Sequence, residues 1–189
     1  MRAFVAVDLP ESLRNALEDL QARLRTGRIV PSENLHLTLA FLGDAGEEAL
    51  EDLHDGLEAL RTEPVEIRVC GLDLFGGASA PRLVHAVVED NAALSDLHGR
   101  VLRLARGAGL APDRRRFRPH VTLARFGRTA RADPGALARF LADHASVSLP
   151  AVTARSMGLY ASTLRPEGAE YEALAFYPLG AGGILDGRE

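Results

Sequence analysis

Residues 36–43 read HLTLAFLG and residues 120–127 read HVTLARFG, so five of the eight positions are identical in the two stretches. In each stretch a histidine is followed two residues later by a threonine, within a run of apolar residues. Successive side chains of a β-strand point to opposite faces, so the histidine and the threonine of each strand share one face. The repeat predicts two equivalent strands, each presenting an imidazole and a hydroxyl to the same side of a sheet.

The order of predicted elements around these two strands is repeated as well. In residues 1–80 an apolar strand, a helix, the His-x-Thr strand, a second helix and a third strand follow one another, and the same order returns in residues 81–180. Residues 76–81, which read GGASAP, connect the two halves, and residues 181–189 are predicted to be a loose tail. Two similar halves related by a pseudo-twofold axis would place equivalent residues face to face, and the expected cleft lies on that axis with one His-x-Thr pair from each half.

Leucines at helical spacing and capping residues set the bounds of the predicted helices. The first helix starts after Pro10, and the third starts at the cap candidate Asp90-Asn91 and ends near Gly107. The second and fourth helices cover residues 46–61 and 134–144. The strands outside the two His-x-Thr stretches are predicted at residues 4–7, 65–75, 83–88, 151–161 and 171–177.

The composition is that of an ordinary globular protein, with 47% hydrophobic and 25% charged residues in a chain of 189. The single cysteine, Cys70, excludes an intrachain disulfide and a cysteine-based zinc cluster. No apolar run approaches the roughly 18 residues of a membrane span, and Asp8 interrupts the apolar start of the chain too early for a secretion signal. We therefore expect a cytoplasmic protein that does not associate with a membrane.

Charge is distributed unevenly along the chain, although the formal net charge is only −4. Residues 1–80 carry 15 acidic residues and seven arginines, whereas the span from Arg100 to Arg131 carries ten arginines and one acidic residue, Asp113. Such a basic stretch can attract a phosphate-bearing partner. All 22 basic residues are arginine, so codon bias is an alternative explanation for the stretch. A net acidic chain is not expected to coat duplex nucleic acid.

Two imidazoles on facing strands suit a reaction that needs a proton donor and a proton acceptor near neutral pH. His36 and His120 are the candidate pair, and from the residues alone either can hold either role. Thr38 and Thr122 share the faces of their histidines, and their hydroxyls can donate hydrogen bonds.

The two His-x-Thr stretches and their surroundings resemble the 2H phosphoesterase superfamily. The resemblance runs from residues 2–10 (RAFVAVDLP) through residues 33–43 (ENLHLTLAFLG) to residues 117–125 (FRPHVTLAR). It is nearest to the bacterial and archaeal RNA 2′,3′-cyclic phosphodiesterases, also called 2′-5′ RNA ligases. It implies an α+β fold class, a bilobal duplicated domain over residues 1–189 with antiparallel sheets around a central cleft and helices on the outside. Residues 30–33 lack the tryptophan that an aromatic platform in this region would need.

The resemblance also implies a function, the hydrolysis of a terminal 2′,3′-cyclic phosphate of RNA to a 2′-phosphate. In this reaction His36 would be the proton donor and His120 the proton acceptor. The substrate-binding residues would be Thr38, Thr122, Arg125 and Arg118. No cofactor and no metal ion is expected. The expected partner is RNA with a 2′,3′-cyclic phosphate end, tRNA fragments included, or a nucleotide, and the protein is expected to be a monomer.

The two candidate arginines fit the second His-x-Thr strand differently. Under strict alternation Arg125 points away from the face of His120, so it reaches the site only if the strand bends near its end. Arg118 has the right parity, but Pro119 lies between it and the histidine. Only the resemblance ranks Arg125 above Arg118.

Three other interpretations of the paired histidines stay open. A zinc site would need a third ligand, which neither stretch offers. A module that binds RNA ends without catalysis would use the same histidines and arginines to hold phosphate. A related enzyme could act on a small cyclic nucleotide or a sugar cyclic phosphate, or could join RNA ends through a reversible 2′-5′ ligase activity.

The remaining histidines and aromatic residues carry weaker signals. His54, His98 and His144 lie on predicted helices and are expected at the surface or at its boundary, and His85 has no matched partner in the repeat. Three aromatic residues fit either core packing or stacking on a base, with core packing expected. They are Phe41, Phe126 and Tyr160.

Overall fold

The computed structural model describes residues 1–77, 80–113, 115–127, 132–165 and 168–180, and these form ten strands and four α-helices. The strands are β1 (Arg2–Asp8), β2 (Arg28–Ile29), β3 (His36–Asp44), β4 (Val65–Ile67), β5 (Val69–Gly77), β6 (Ala80–Val88), β7 (His120–Arg125), β8 (Val152–Ala154), β9 (Ser156–Arg165) and β10 (Gly168–Pro178). The helices are α1 (Glu11–Gln21), α2 (Glu47–Glu58), α3 (Ala92–Gly107) and α4 (Pro134–His144).

The two His-x-Thr strands, β3 and β7, are neighbours near the centre of an antiparallel sheet. The sheet has the strand order β10-β9-β1-β3-β7-β6-β5, with β2 also paired to β7. The halves exchange strands, because β9 from the second half extends the sheet beyond β1, while β5 from the first half extends it beyond β6. β3 and β7 pair through Leu37 and Val121, whose side chains are fully buried.

The helices cover the face of the sheet that carries the apolar side chains of β3 and β7. Each helix buries an apolar stripe at helical spacing, such as Leu13, Leu17 and Leu20 in α1. α1 of the first half packs against β7, and α3 of the second half packs against β3, so each helix supports the His-x-Thr strand of the other half. The histidines and threonines lie on the opposite face, which stays partly open to solvent.

The predicted helices and the paired strands are found close to their expected bounds. Helix α4 covers residues 134–144 as predicted, and Asn91 caps α3 by accepting a hydrogen bond from the backbone N–H of Leu94 at 2.9 Å. Asp133 caps α4 in the same way, through the N–H groups of Gly135 and Ala136.

Three expectations about strands and connections need correction. The strands predicted at 65–75 and 151–161 are each divided, since β4 and β8 leave the large sheet and pair with each other. The alternation of buried and exposed side chains continues through the first break, so a period of two cannot reveal a change of sheet. In the predicted connector, residues 76–81, the four residues that the structure describes are strand, because β5 runs to Gly77 and pairs with β6, which begins at Ala80. The predicted tail, residues 181–189, lies outside the described residues.

One of these connecting residues must be glycine. Gly76 has a φ of +93°, which L-residues with a side chain rarely adopt. A Cβ at this position would lie 2.5 Å from the carbonyl oxygen of Ala80 on the facing strand. The close approach of the two hairpin strands therefore depends on the missing side chain.

Replacement of a leucine in α3 tests the packing of the core beneath the site. We expect Leu97→Ala to lower the free energy of unfolding by about 2–5 kcal/mol, because the fully buried side chain leaves a cavity. The matched control is Leu164→Ala, at a leucine that is 65% exposed, which should change stability by less than about 0.5 kcal/mol. Chemical denaturation of both variants gives the comparison, and equal losses would contradict this packing.

Candidate active site

The register of β3 and β7 brings the two His-x-Thr pairs together on the open face of the sheet. Continuing the central pair by one residue in each direction places His36 opposite Thr122 and Thr38 opposite His120. The two imidazoles therefore lie diagonally across the contact between the halves, each facing the threonine of the other half. A charge on His120 is near enough to lower the pKa of His36.

Both imidazoles are held in the same way by the backbone two residues before them. Nδ1 of His36 lies 2.8 Å from the carbonyl oxygen of Asn34, and Nδ1 of His120 lies 2.6 Å from that of Arg118. Because a carbonyl oxygen only accepts, each Nδ1 carries the proton and donates it. The neutral rings therefore keep the lone pair on Nε2, which is the nitrogen of each ring that can accept a further proton.

The surroundings favour the neutral form of both imidazoles in the free protein. Burial lowers the pKa of His36 to about 4, the hydrogen bond to Asn34 acts in the opposite direction, and the charges of Arg125 and His120 lower it further. Burial is also the main cause that lowers the pKa of His120, again with help from Arg125. An anion bound between these groups would oppose every charge that lowers the two pKa values.

The two threonine hydroxyls are available to a ligand. Thr38 and Thr122 are both partly exposed, and within the described residues neither hydroxyl makes a hydrogen bond to another protein group. Each can donate one hydrogen bond and accept others. The open face therefore offers two imidazole nitrogens and two hydroxyls, arranged with approximate twofold symmetry.

A β-bulge directly follows the threonine in each strand, at Leu39 in β3 and at Leu123 in β7. The extra residue shifts the alternation, so the second side chain after it returns to the face of the histidine. In β7 this side chain is Arg125, whose charge lowers the pKa of both site histidines. In β3 the equivalent residue is Phe41. The bulge in β7 supplies the bend that a role for Arg125 requires. The two halves differ chemically here, because one has an arginine where the other has a phenylalanine.

Arg118 lies beside the second imidazole rather than between the two. Its guanidinium carbon is 5.7 Å from the centroid of the Phe75 ring, a distance at which a cation is attracted to an aromatic face. Its charge contributes to the lowered pKa values of His120 and His85. Both candidate arginines therefore place positive charge near the paired histidines.

A cleft of about 300 Å³ opens beside His36 and has aromatic walls. Phe4 stacks on the His36 ring with centroids 4.9 Å apart, and Tyr171 meets the same ring edge-on at 5.3 Å. Tyr160 and Phe176 line the cleft further from the histidine. A pocket with flat apolar walls and a few polar groups can hold a planar ligand such as a nucleobase.

Asp8 fixes the wall of this cleft. It pairs with His36 across β1 and β3, and its carboxylate accepts hydrogen bonds from the hydroxyls of Tyr160 and Ser156, the latter at 2.6 Å. Burial and the neighbouring Asp8 raise the pKa of Tyr160, so its hydroxyl stays protonated and donates. The acidic side chain thus ties β1 to β9 at the edge of the cleft.

Sequence reasoning missed the aromatic wall. Phe4 and Asp8 lie at alternating positions of β1, so their shared face could have been inferred from the period of two. The sequence did not indicate that Tyr171 lies at the cleft, because β10 is brought there by its pairing with β9. Phe41, expected in the core, is 48% exposed, and Tyr160 lines the cleft.

His98 also has contacts that its helical position did not reveal. It is half-buried on α3, its Nδ1 donates to the carbonyl oxygen of Leu39 at 2.7 Å, and its ring stacks on Phe117 at 4.0 Å. It therefore connects the bulge of β3 to the segment that precedes His120.

Two negative findings hold for the described ranges. No group of three or more histidine, cysteine, aspartate or glutamate side chains there is arranged to hold a metal ion. No helix in those ranges is long and apolar enough to cross a membrane.

Comparison with known proteins agrees with this arrangement. A model of the 2′-5′ RNA ligase superfamily matches residues 9–157, a span that contains both His-x-Thr stretches. An RNA 2′,3′-cyclic phosphodiesterase of Archaeoglobus fulgidus is 32% identical over 180 residues, which cover 94% of this chain and 99% of the relative.

Solved structures show the same fold. A crystal structure of a Thermus thermophilus protein superposes with a TM-score of 0.75 and 31% identity, over 95% of this chain and 98% of that one. A crystal structure of Escherichia coli LigT in complex with phosphate gives a TM-score of 0.67 and 25% identity, over 94% and 96% of the two chains. The α+β fold class and the resemblance to the 2H phosphoesterases are thereby confirmed. The chain belongs to the 2′-5′ RNA ligase superfamily.

Proposed function

We propose that the protein is an RNA 2′,3′-cyclic phosphodiesterase that opens a terminal 2′,3′-cyclic phosphate to a 2′-phosphate. The observation that carries the proposal is the placement of two imidazoles on adjacent strands of one open face, where neither Nε2 is hydrogen-bonded to any of the described residues. A cyclic phosphate between them would have one proton-transfer group on each side of phosphorus. The relative from Archaeoglobus fulgidus acts on this substrate class by its own description, which supports the same reaction here.

In the proposed reaction His120 takes a proton from water and His36 gives a proton to the departing 3′ oxygen. The oxygen of water forms a new bond to phosphorus while the bond from phosphorus to O3′ breaks, and the 2′-phosphate ester remains. The resemblance assigns these roles, and the aromatic cleft supports them. A nucleoside held beside His36 would bring its ribose, and hence the leaving oxygen, to the side of His36.

The threonines and arginines would stabilise the phosphoryl group during this reaction. We propose that Thr38 and Thr122 donate to its non-bridging oxygens, which gain negative charge in the transition state. Arg125 would neutralise charge between the two imidazoles, and Arg118 would do so beside His120. No step of this mechanism needs a metal ion or another cofactor.

The partner of this site would be the 3′ end of an RNA that carries a cyclic phosphate, with tRNA fragments as one source. The arginine-rich span from Arg100 to Arg131 would attract the remaining phosphates of such a strand. The aromatic cleft also suits a mononucleotide, which makes a small cyclic nucleotide the alternative substrate. Reversible 2′-5′ ligation is an alternative reaction at the same site. A monomer in the cytoplasm, where RNA cleavage would supply such ends, is the predicted form.

The paired roles predict that both histidines are required. We expect His36→Ala and His120→Ala each to lower the single-turnover rate of hydrolysis of an RNA 2′,3′-cyclic phosphate by at least about 10²-fold. The double variant should be little slower than either single variant, since the two groups act as a unit. The wild type should stay active in excess EDTA and should yield only the 2′-phosphate.

His144→Ala is the matched control, because this histidine lies in the last turn of α4 and contacts Phe140. It should keep the wild-type rate. A near-wild-type rate for His36→Ala or His120→Ala would show that the His-x-Thr pairs bind phosphate without paired acid–base catalysis.

The lowered pKa values predict that anion binding takes up protons. Free His36 is neutral above about pH 4, and a bound anion stabilises its imidazolium form, so its pKa rises on binding. We expect calorimetric titration with sulfate to show proton uptake at about pH 5.5, where sulfate itself does not change its protonation. The uptake is measured from the change in binding enthalpy between buffers of different ionisation enthalpy. Sulfate binding without proton uptake would contradict the assigned electrostatics.

The threonine hydroxyls predict a graded effect. Thr38→Ala and Thr122→Ala should each raise the activation free energy by about 2–4 kcal/mol, because each removes one donor to the transition state. Thr38→Ser and Thr122→Ser retain the hydroxyl and should recover most of the rate. Unchanged kinetics in the alanine variants would remove the threonines from the site.

A further inference from the structure

A third imidazole lies on the wall of the site, and the mechanism above does not use it. His85 on β6 pairs directly with Thr122, so its side chain points to the same face of the sheet. Its ring stacks on Phe75 with centroids 4.2 Å apart and meets the His120 ring edge-on at 5.2 Å. Only 4% of the residue is exposed.

The hydrogen bonding of His85 differs from that of the two paired histidines. Within the described residues, Nδ1 of His85 is the one buried side-chain nitrogen or oxygen without a hydrogen-bond partner. Its Nε2 also makes no hydrogen bond to the described protein, but this atom is not sealed from solvent. His36 and His120, in contrast, each have Nδ1 held by a backbone carbonyl.

This difference determines which nitrogen carries the proton. A buried N–H without an acceptor is rarer in proteins than a buried acceptor without a donor. The nitrogen without a proton is therefore the buried Nδ1, and the proton lies on Nε2. Burial lowers the pKa of His85 to about 4, the charges of His120 and Arg118 lower it as well, and Asp73 acts in the opposite direction. At neutral pH the ring is therefore a neutral Nε2–H donor.

The position is not duplicated in the other half of the fold. On β1, the residue that pairs with Thr38 is Ala6, so the pseudo-twofold relation places a methyl group where β6 has an imidazole. The extra donor therefore lies only beside His120 and Thr122. A neutral donor would weaken a nucleophilic water to which it donated, whereas it would stabilise a phosphoryl oxygen that gains negative charge.

We propose that His85 is a further substrate-binding residue, whose Nε2–H donates a hydrogen bond to the phosphoryl oxygen beside Thr122. The proposal rests on the function proposed above, because it concerns the same phosphoryl group. His85 would strengthen its hydrogen bond as charge develops on that oxygen, and it would take no part in proton transfer. The site would then hold the phosphoryl group with more donors on the His120 side than on the His36 side.

The first test uses ¹⁵N NMR of the imidazole rings in the wild-type protein, with inorganic phosphate as the probe. We expect the Nε2–H form of His85 at neutral pH, and a shift of its Nε2 signal on saturation with phosphate. A proton on Nδ1, or an unchanged Nε2 signal while His36 and His120 respond, would overturn the role of His85 and leave the proposed function intact. If none of the three rings responded, the phosphate site itself would be wrong.

The second test separates hydrogen bonding from packing. His85→Phe keeps a ring to stack on Phe75 but has no donor, and His85→Gln keeps an N–H donor at similar reach. We expect His85→Phe to lower kcat for hydrolysis of a nucleoside 2′,3′-cyclic phosphate by about 10²-fold, with a smaller change in KM and an unchanged pH profile. His85→Gln should recover most of this loss.

Thermal unfolding of both variants shows whether a loss comes from the fold. Wild-type kcat in a folded His85→Phe protein would overturn the proposal, as would equal loss in the two variants with unchanged stability. A misfolded His85→Phe protein would leave the decision to His85→Gln and to the NMR measurement, which needs no variant.

Discussion

The site depends on one antiparallel contact, the pairing of β3 with β7 at Leu37 and Val121. Because the side-chain period of a strand is two, burying this pair on the helix-covered face turns the neighbouring histidines and threonines to the other face. A slip of either strand by one residue would move the histidine and threonine of that strand into the core. The helices oppose such a slip, since α1 supports β7 and α3 supports β3, and each half thereby holds the His-x-Thr strand of the other.

The positive charge on the open face of the sheet favours an anionic ligand. The partly buried imidazoles next to Arg125 favour the neutral form, although the proposed reaction needs one of them protonated. In the proposed reaction the phosphoryl anion of the substrate would supply negative charge, and one imidazole would then hold a proton only when substrate is bound. The two halves share a backbone plan but differ in chemistry. Phe41 and an aromatic cleft lie near His36, whereas His85 and Arg118 lie near His120.

Much of this arrangement could be predicted from the sequence, because it follows from local periodicity. The repeated His-x-Thr stretches predicted two equivalent strands, and the leucine spacing predicted four helices that lie close to their observed bounds. Features that depend on partners distant in the chain could not be predicted. The bulges at Leu39 and Leu123 come from register shifts against β1 and β6, and the second of them turns Arg125 toward the histidines. The division of two predicted strands and the contribution of Tyr171 to the cleft likewise depend on pairings that no single segment encodes.

The central claim is that both imidazoles reach one phosphoryl group from opposite sides. A crystal structure with a bound nucleoside 2′-monophosphate, the product of the proposed reaction, tests this most directly. The account predicts that Nε2 of His36 and Nε2 of His120 both lie within hydrogen-bond distance, about 2.6–3.2 Å, of the phosphate or of the ribose 3′ oxygen. A phosphate held by only one of the two imidazoles, with the other directed elsewhere, would contradict it.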